Sequence, residues 1–263
     1  MTEELTNLDE PKTLKQLYVT YNIWLHLEKE DFETIETVLA ATLDRDIPGD
    51  PLWIYLISPS GGLKTELVRA LSKYANVYTI DSVTPATFIS GKVAKSPKDG
   101  KFYPIAGILR SLDGKVLVIK DFTIILSSPD IVRTEIYGQL RGIYDGYLEK
   151  GFGTLKEKIK VYATIGLIAA VTPAIDHYTK AHNILGERFL KIRQHPGMKQ
   201  TAERAFKNLG HETRMREELS TATAYYLNQV RQNKPYPKPI KEQMNRMIQI
   251  AHYISLMRTR VMG

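Results

Sequence analysis

The feature that most constrains this chain is the junction at residues 52–65. Leu52-Trp-Ile-Tyr-Leu-Ile57 is an unbroken run of apolar, aromatic and β-branched residues, the pattern of a strand buried on both faces. It runs straight into a small-residue turn, Ser58-Pro-Ser-Gly-Gly-Leu-Lys-Thr65, and then into helical spacing from Thr65 to Tyr74. A strand that is apolar on both faces needs a covering layer on each side, so the junction predicts an α/β fold.

The rest of the chain repeats the alternation. Val77–Ile80, Val116–Ile119, Gly166–Val171 and Phe189–Arg193 read as further strands, the second introduced by the turn Asp113-Gly-Lys115. Arg133–Leu148 reads as a helix, and Val83–Gly107, with Pro85, Gly91, Pro97 and Pro104, as an extended loop over the site. Strands separated by helices predict βαβ units and a central, mostly parallel sheet flanked by helices. Residues 13–45 are helical in pattern and are closed by the breaker cluster Asp46-Ile-Pro-Gly-Asp-Pro51. From about Pro196 the chain reads as helical, interrupted by the three prolines of Lys234-Pro-Tyr-Pro-Lys-Pro239. The expected division is a helical segment 1–45, an α/β core 46–195 and a C-terminal helical part 196–263.

Composition narrows the chemistry. Hydrophobic residues at 43% and charged residues at 25% over 263 positions are enough to build a sizeable core without staples. There is no cysteine, which excludes disulfides, thiolate zinc sites and a cysteine nucleophile. His177 and His182 do not form an H-E-x-x-H pattern, and no G-x-S-x-G elbow occurs. No apolar run approaches the length of a membrane span, and the polar start MTEELTNLDEPK is unlike a signal peptide. A cytoplasmic protein without membrane association is expected. Charge is uneven: residues 1–45 carry 4 Lys+Arg against 10 Asp+Glu, net −6, and the remainder 32 against 19, net +13. A basic body favours a polyanionic partner such as DNA.

The 58–65 turn sits where a P-loop sits, after a buried strand and before a helix. In such a loop, small residues turn backbone N–H groups onto phosphate oxygens, and the helix N-terminus adds a favourable dipole. Ser60, Gly61, Gly62, Leu63, Lys64, Thr65 and Glu66 are the candidate nucleotide-binding residues. Lys64 would reach the β- and γ-phosphates of ATP, and the Thr65 hydroxyl would ligate Mg²⁺. The loop departs from G-x-x-x-x-G-K-[ST] with Ser58 and Leu63 in place of the two glycines; Gly61 and Gly62 are candidates to supply the flexibility instead, while a Cβ at Leu63 could crowd the backbone near the phosphates. Glu66 is read as facing along the helix.

A P-loop ATPase also needs an acid at the end of a neighbouring strand. Val116-Leu-Val-Ile-Lys-Asp-Phe122 supplies Asp121, read either as a magnesium ligand or as the base for the attacking water, with Asp81 as a possible second acid. Thr172, ending the strand before Pro173, is placed to hydrogen-bond the γ-phosphate or that water.

The order of these features resembles that of AAA+ ATPases. After the loop and the strand-end acid come the Gly-punctuated segment Gly138–Gly153, a polar strand end, and an arginine in Gly186-Glu-Arg-Phe-Leu190. The likeness is to the branch with a hairpin inserted before the sensor-1 strand, which includes minichromosome-maintenance helicases and related proteins of viruses and mobile elements. It covers about 46–195, with a helical lid to about 260. The resemblance implies sensor 1 at Thr172 and an arginine finger at Arg188, offered to a neighbour's ATP. It implies sensor 2 at Arg258 in Ser255-Leu-Met-Arg-Thr-Arg260, with Arg260 the lesser choice. It also implies an inserted hairpin over 148–160, whose Lys150, Lys156, Lys158 and Lys160 would track a phosphate backbone. The implied function is an ATP-hydrolysing motor or initiator of replication acting on DNA as a homo-oligomeric ring, a hexamer by the same resemblance. The alternatives are a protein-remodelling or activator ATPase, and a scaffold that binds nucleotide without hydrolysing it.

Overall fold

The computed structural model describes residues 8–61, 63–90, 93–95, 102–104, 107–151, 158–178, 188–194, 202–203, 206–233 and 238–249. The chain opens with α1 (Leu14–Leu25) and α2 (Lys29–Leu43). The helical pattern over 13–45 is therefore broken, for a local reason. Thr13 and Gln16 form a capping box that starts α1, and His26 ends it in the left-handed region at φ 43°. The Asn22 side chain then accepts from Leu27 N, and Asp31 accepts from Glu28 N to start α2.

Beyond the breaker come β1 (Trp53–Ile57), α3 (Lys64–Ala70) and β2 (Val77–Ile80). The expected loop over 83–107 contains a short antiparallel hairpin, β3 (Val93–Lys95) with β4 (Phe102–Pro104). Next are β5 (Val116–Ile119), α4 (Thr123–Leu126) and α5 (Asp130–Tyr144). The helix expected over 133–148 starts and stops earlier, because Asp145 and Gly146 turn the chain, Gly146 at φ 90°, and Leu148 belongs to a strand. That strand, β6 (Tyr147–Lys150), pairs antiparallel with β7 (Ile159–Tyr162). The chain then forms β8 (Gly166–Val171), a 3-10 turn at Pro173–Tyr178, β9 (Phe189–Arg193) and α6 (Glu212–Gln232).

The five strands read from the sequence form one parallel sheet in the order β2-β5-β8-β1-β9. Side-chain alternation sorts its two faces. Trp53, Tyr55, Ile57, Leu117, Ile119, Leu167, Ala169 and Val171 share a cluster with α5, the β6–β7 hairpin and Val83, Phe88, Ile89, Leu109 and Leu112. Ile54, Leu56, Val116, Val118, Ile168 and Ala170 share the other with α1, α2, α3 and α6. The acidic N-terminal helices thus cover one face of the chain's own sheet. The two tryptophans divide the same way: Trp53 lies in the first layer and Trp24 packs against the second.

Residues 1–231 form one compact unit and 232–263 another. In the second, residues 241–249 are helical, and Ile240, Met244, Met247 and Ile248 are exposed. Among the described residues, no helix is long and apolar enough to cross a membrane.

The helical layer is tied by the fully buried Tyr21 hydroxyl of α1, 2.8 Å from Thr223 Oγ1 of α6. Burial pushes that hydroxyl up to about 12, only partly offset by the Thr223 bond. Below pH 10 the tyrosine is protonated in both folded and unfolded chains. Between 10 and 12 only the unfolded chain loses the proton, so stability falls as pH rises through that window. Tyr21→Phe is expected to cost about 1 kcal/mol at pH 8 and to remove about 1.4 kcal/mol of alkaline loss by pH 11. Urea unfolding at pH 8 and pH 11 checks both.

Candidate functional site

The sheet sends its chain in opposite directions at β1 and β8. From β1 it crosses the helical face through α3 to the far edge at β2, whereas from β8 it leaves on the other face for β9. In open parallel sheets a crevice forms at such a reversal, outside the carboxyl ends of the strands. The 58–65 loop, Asp121 and Thr172 all lie at that edge.

The loop begins as a continuation of the ladder, with Ser58 N donating to Val171 O at 3.1 Å. Ser58 is wholly buried. Gly61 takes φ 79°, a backbone conformation that favours glycine. Gly62 lies outside the described residues. Leu63 has helical φ and ψ, is 2% exposed, and packs into the helical-face core with Leu67. The Leu63 side chain thus anchors the loop from behind. Ser60 sits on the exposed turn, and Thr65 is half-buried in the first turn of α3.

Lys64 is buried, and its Nζ donates to Pro59 O at 2.9 Å, folding the ammonium back over the loop. Burial holds this ammonium below its ordinary pKa, and the Asp121 carboxylate opposes that shift. Two residues that follow different strands, far apart in sequence, therefore act electrostatically on one another. Glu66 is turned toward α6, where Arg216 grips it through Nη2 at 2.9 Å and Nε at 3.1 Å, with Arg69 at 3.3 Å.

Asp121 follows β5 and is exposed, its Oδ1 accepting from Thr123 N at 2.9 Å. Lys120 pairs at 2.5 Å with Asp81, the possible second acid. Phe122 is fully buried, edge-on to Tyr55 with centroids 5.1 Å apart. The position after Asp121 thus belongs to the core. Thr172 N donates to Thr123 Oγ1 at 3.2 Å, and the two hydroxyl oxygens are 3.4 Å apart. Thr123 bridges the ends of β5 and β8, a role that pairwise motif reading missed because it depends on two strands being neighbours.

Arg188 precedes β9, level with the amino end of β1. One strand length, roughly 17 Å, separates it from the loop of its own chain. There it pairs with Asp145 at 2.9 Å and lies over the Tyr144 ring. Arg258, Arg260 and Lys156 lie outside the described residues. At the loop end of β9, Arg193 instead forms a bidentate pair with Asp176, at 2.7 and 3.0 Å, holding the Asp176 carboxyl below the usual carboxylate range. No local pattern announced this pair.

The β6–β7 hairpin carries a second group. Lys150 pairs with Glu135 and Lys158 with Glu149. Lys160 Nζ lies over the rings of Tyr147, at 4.5 Å, and Tyr162, at 5.0 Å. Both tyrosines are exposed, face one another across the hairpin, and have ring centroids 6.3 Å apart.

Among the described residues no cluster of three or more His, Asp or Glu could hold a metal by itself. Mg²⁺ bound with a nucleotide asks less, one or two side chains with phosphates and water completing the shell. A single exposed carboxylate at Asp121 fits that demand. No protein-family model matches this chain, and no curated protein is significantly similar to it.

The Asn amide oxygen can accept from Thr123 N as Asp121 does. Asp121→Asn is therefore expected to change unfolding free energy by less than about 1 kcal/mol, measured by thermal unfolding without nucleotide.

Proposed function

We propose that this chain is a P-loop ATPase of the AAA+ type that acts on DNA. The observation that carries the reading is the meeting of Lys64, Asp121 and Thr172 at the switch point of a parallel sheet, with Lys64 and Asp121 coupled through their charges. On this reading the Ser60–Thr65 backbone and Lys64 hold the triphosphate of ATP, and Thr65 and Asp121 hold Mg²⁺. The metal supplies charge neutralisation at the phosphates. Thr172, oriented through Thr123, hydrogen-bonds the terminal phosphate or the attacking water.

The position of Arg188 at the opposite end of β9 fits a finger offered to a neighbouring subunit and not to its own nucleotide. A homo-oligomer, a hexameric ring by resemblance, would complete each site, and an arginine in trans is typically worth about 10³–10⁵ in rate. The DNA reading draws on the basic body of the chain and on the exposed Tyr147–Lys160–Tyr162 face, since aromatic rings interleaved with cations suit single strands.

A second reading, a scaffold that binds nucleotide without turnover, is favoured by one group of observations. Asp81 is taken by Lys120, Phe122 is buried, and Asp121 is left as the lone carboxylate at the end of β5. ATP hydrolysis measured with and without single- and double-stranded DNA separates the readings. DNA-stimulated turnover, abolished by Lys64→Ala and Asp121→Asn and reduced at least 10³-fold by Arg188→Ala with ATP affinity retained, is expected. Turnover indifferent to DNA favours protein remodelling. Binding without turnover favours the scaffold.

A further inference from the structure

Arg69 of α3, Lys73 of the turn after it, Lys120 after β5 and Arg216 of α6 line one open cavity of about 420 Å³. Its size is ordinary for a small-molecule site, roughly 300–1,000 Å³, but its chemistry is not. Such sites are mostly lined by apolar and aromatic side chains. Here each remaining lining residue is a serine, a threonine or the carboxylate Glu217, so no apolar side chain lines the cavity among the described residues. Four cations against one acid give the wall a formal net charge of +3.

The acids that neutralise these cations hold them loosely. Lys73 pairs with Glu217 and Lys120 with Asp81, and the two carboxylates are 66% and 83% exposed. Ion pairs so open to water contribute little, and a better anion displaces them readily. Arg69 and Arg216 share a single carboxylate, Glu66, which is not among the residues lining the cavity. A guanidinium carries five N–H donors, of which Glu66 takes two from Arg216 and one from Arg69. Neither arginine is exhausted by that contact.

An apolar ligand has nothing to pack on in this cavity, and a metal cation meets a wall of its own sign. Phosphate oxygens suit the wall in both respects, with guanidinium and ammonium groups for the charge and hydroxyls to donate alongside them. A phosphate monoester carries about −1.5 to −2 at pH 7, short of the wall's +3, and a diphosphate comes closer. A nucleic-acid strand calls for cations spaced along a groove and rings on which bases stack, whereas these four cations line one hollow without an aromatic residue. We propose that this cavity is a binding site for a small soluble anion of the diphosphate class. The described residues of the 58–65 loop contribute nothing to it, so the site stands whether or not that loop holds ATP.

Calorimetry with inorganic diphosphate on the full chain tests it, with Lys64→Ala as the background that takes the phosphate loop out of the reading. Diphosphate is expected to bind Lys64→Ala, and more tightly than inorganic monophosphate does. Adding Lys73→Gln and Lys120→Gln together is expected to weaken diphosphate binding at least about tenfold. Adding Glu217→Gln instead removes the one carboxylate of the wall and is expected to tighten binding about threefold. All three positions are partly exposed and their ion pairs open to water, so each variant is expected to melt near the temperature of its background. Binding abolished by Lys64→Ala alone, unaltered affinity in the double lysine variant, or an unaltered or weakened affinity in Glu217→Gln overturns the site. Displacement of diphosphate by a short single-stranded oligonucleotide overturns the assignment to a small anion.

Discussion

The site hangs on the shared register of three parallel strands. Trp53, Leu167 and Phe189 lie level at one end of β1, β8 and β9, and Ile57, Val171 and Arg193 at the other. The ladder continues one step further, through Ser58 N to Val171 O and Gln194 N to Ile57 O. The start of the loop, the strand end that bears Thr172 and the Gln194 backbone are thereby fixed at one height. A register slip of one residue would turn every side chain to the opposite face, and the buried rings of β1 forbid it. Tyr55 stacks on Phe189 at 3.9 Å, and Trp53 donates to Ile165 O at 2.8 Å.

The departures from the usual phosphate-loop pattern have a common physical cause. Leu63, Phe122 and Ser58 stand where glycines or an acid are customary, and all three are buried. Leu63 joins the helical face, Phe122 joins the aromatic cluster of the other face, and Ser58 is held at the end of β1 by its bond to Val171 O. The packing role leaves the exposed chemistry to fewer residues. The Asp121 charge still acts on Lys64, and Thr123 supports Thr172 across two strands.

The sheet was legible because its strands are short apolar runs set off by turn residues, a signal that survives in one dimension. Val116–Ile119 and Gly166–Val171 stand where their patterns put them. The break at His26 was not legible, because it depends on side chains bonding to nearby backbone in competition with helix, and the early end of α5 was not, because it depends on Gly146 taking a positive φ. In the site, Lys64, Asp121 and Thr172 could be read from strand ends. Thr123, Arg193 with Asp176, and the Tyr147–Lys160–Tyr162 group could not, since each is created by strands or turns that meet only in the fold. The core role of Leu63 was hidden for a related reason: which way a side chain points in a turn is decided by the core behind it.

The placement of the two tryptophans gives the molecule a native optical readout. Trp53 is fully buried in the aromatic layer, and Trp24 is half-buried beside charge, its indole donating to Glu218 at 2.9 Å and lying near Arg214. An indole sealed in hydrocarbon emits to the blue of one beside water and ions. The two faces of the sheet therefore carry separate fluorescence colours. A change confined to the α1–α6 seam would move the red component alone, and loosening of the aromatic layer would move the blue one, with no label attached.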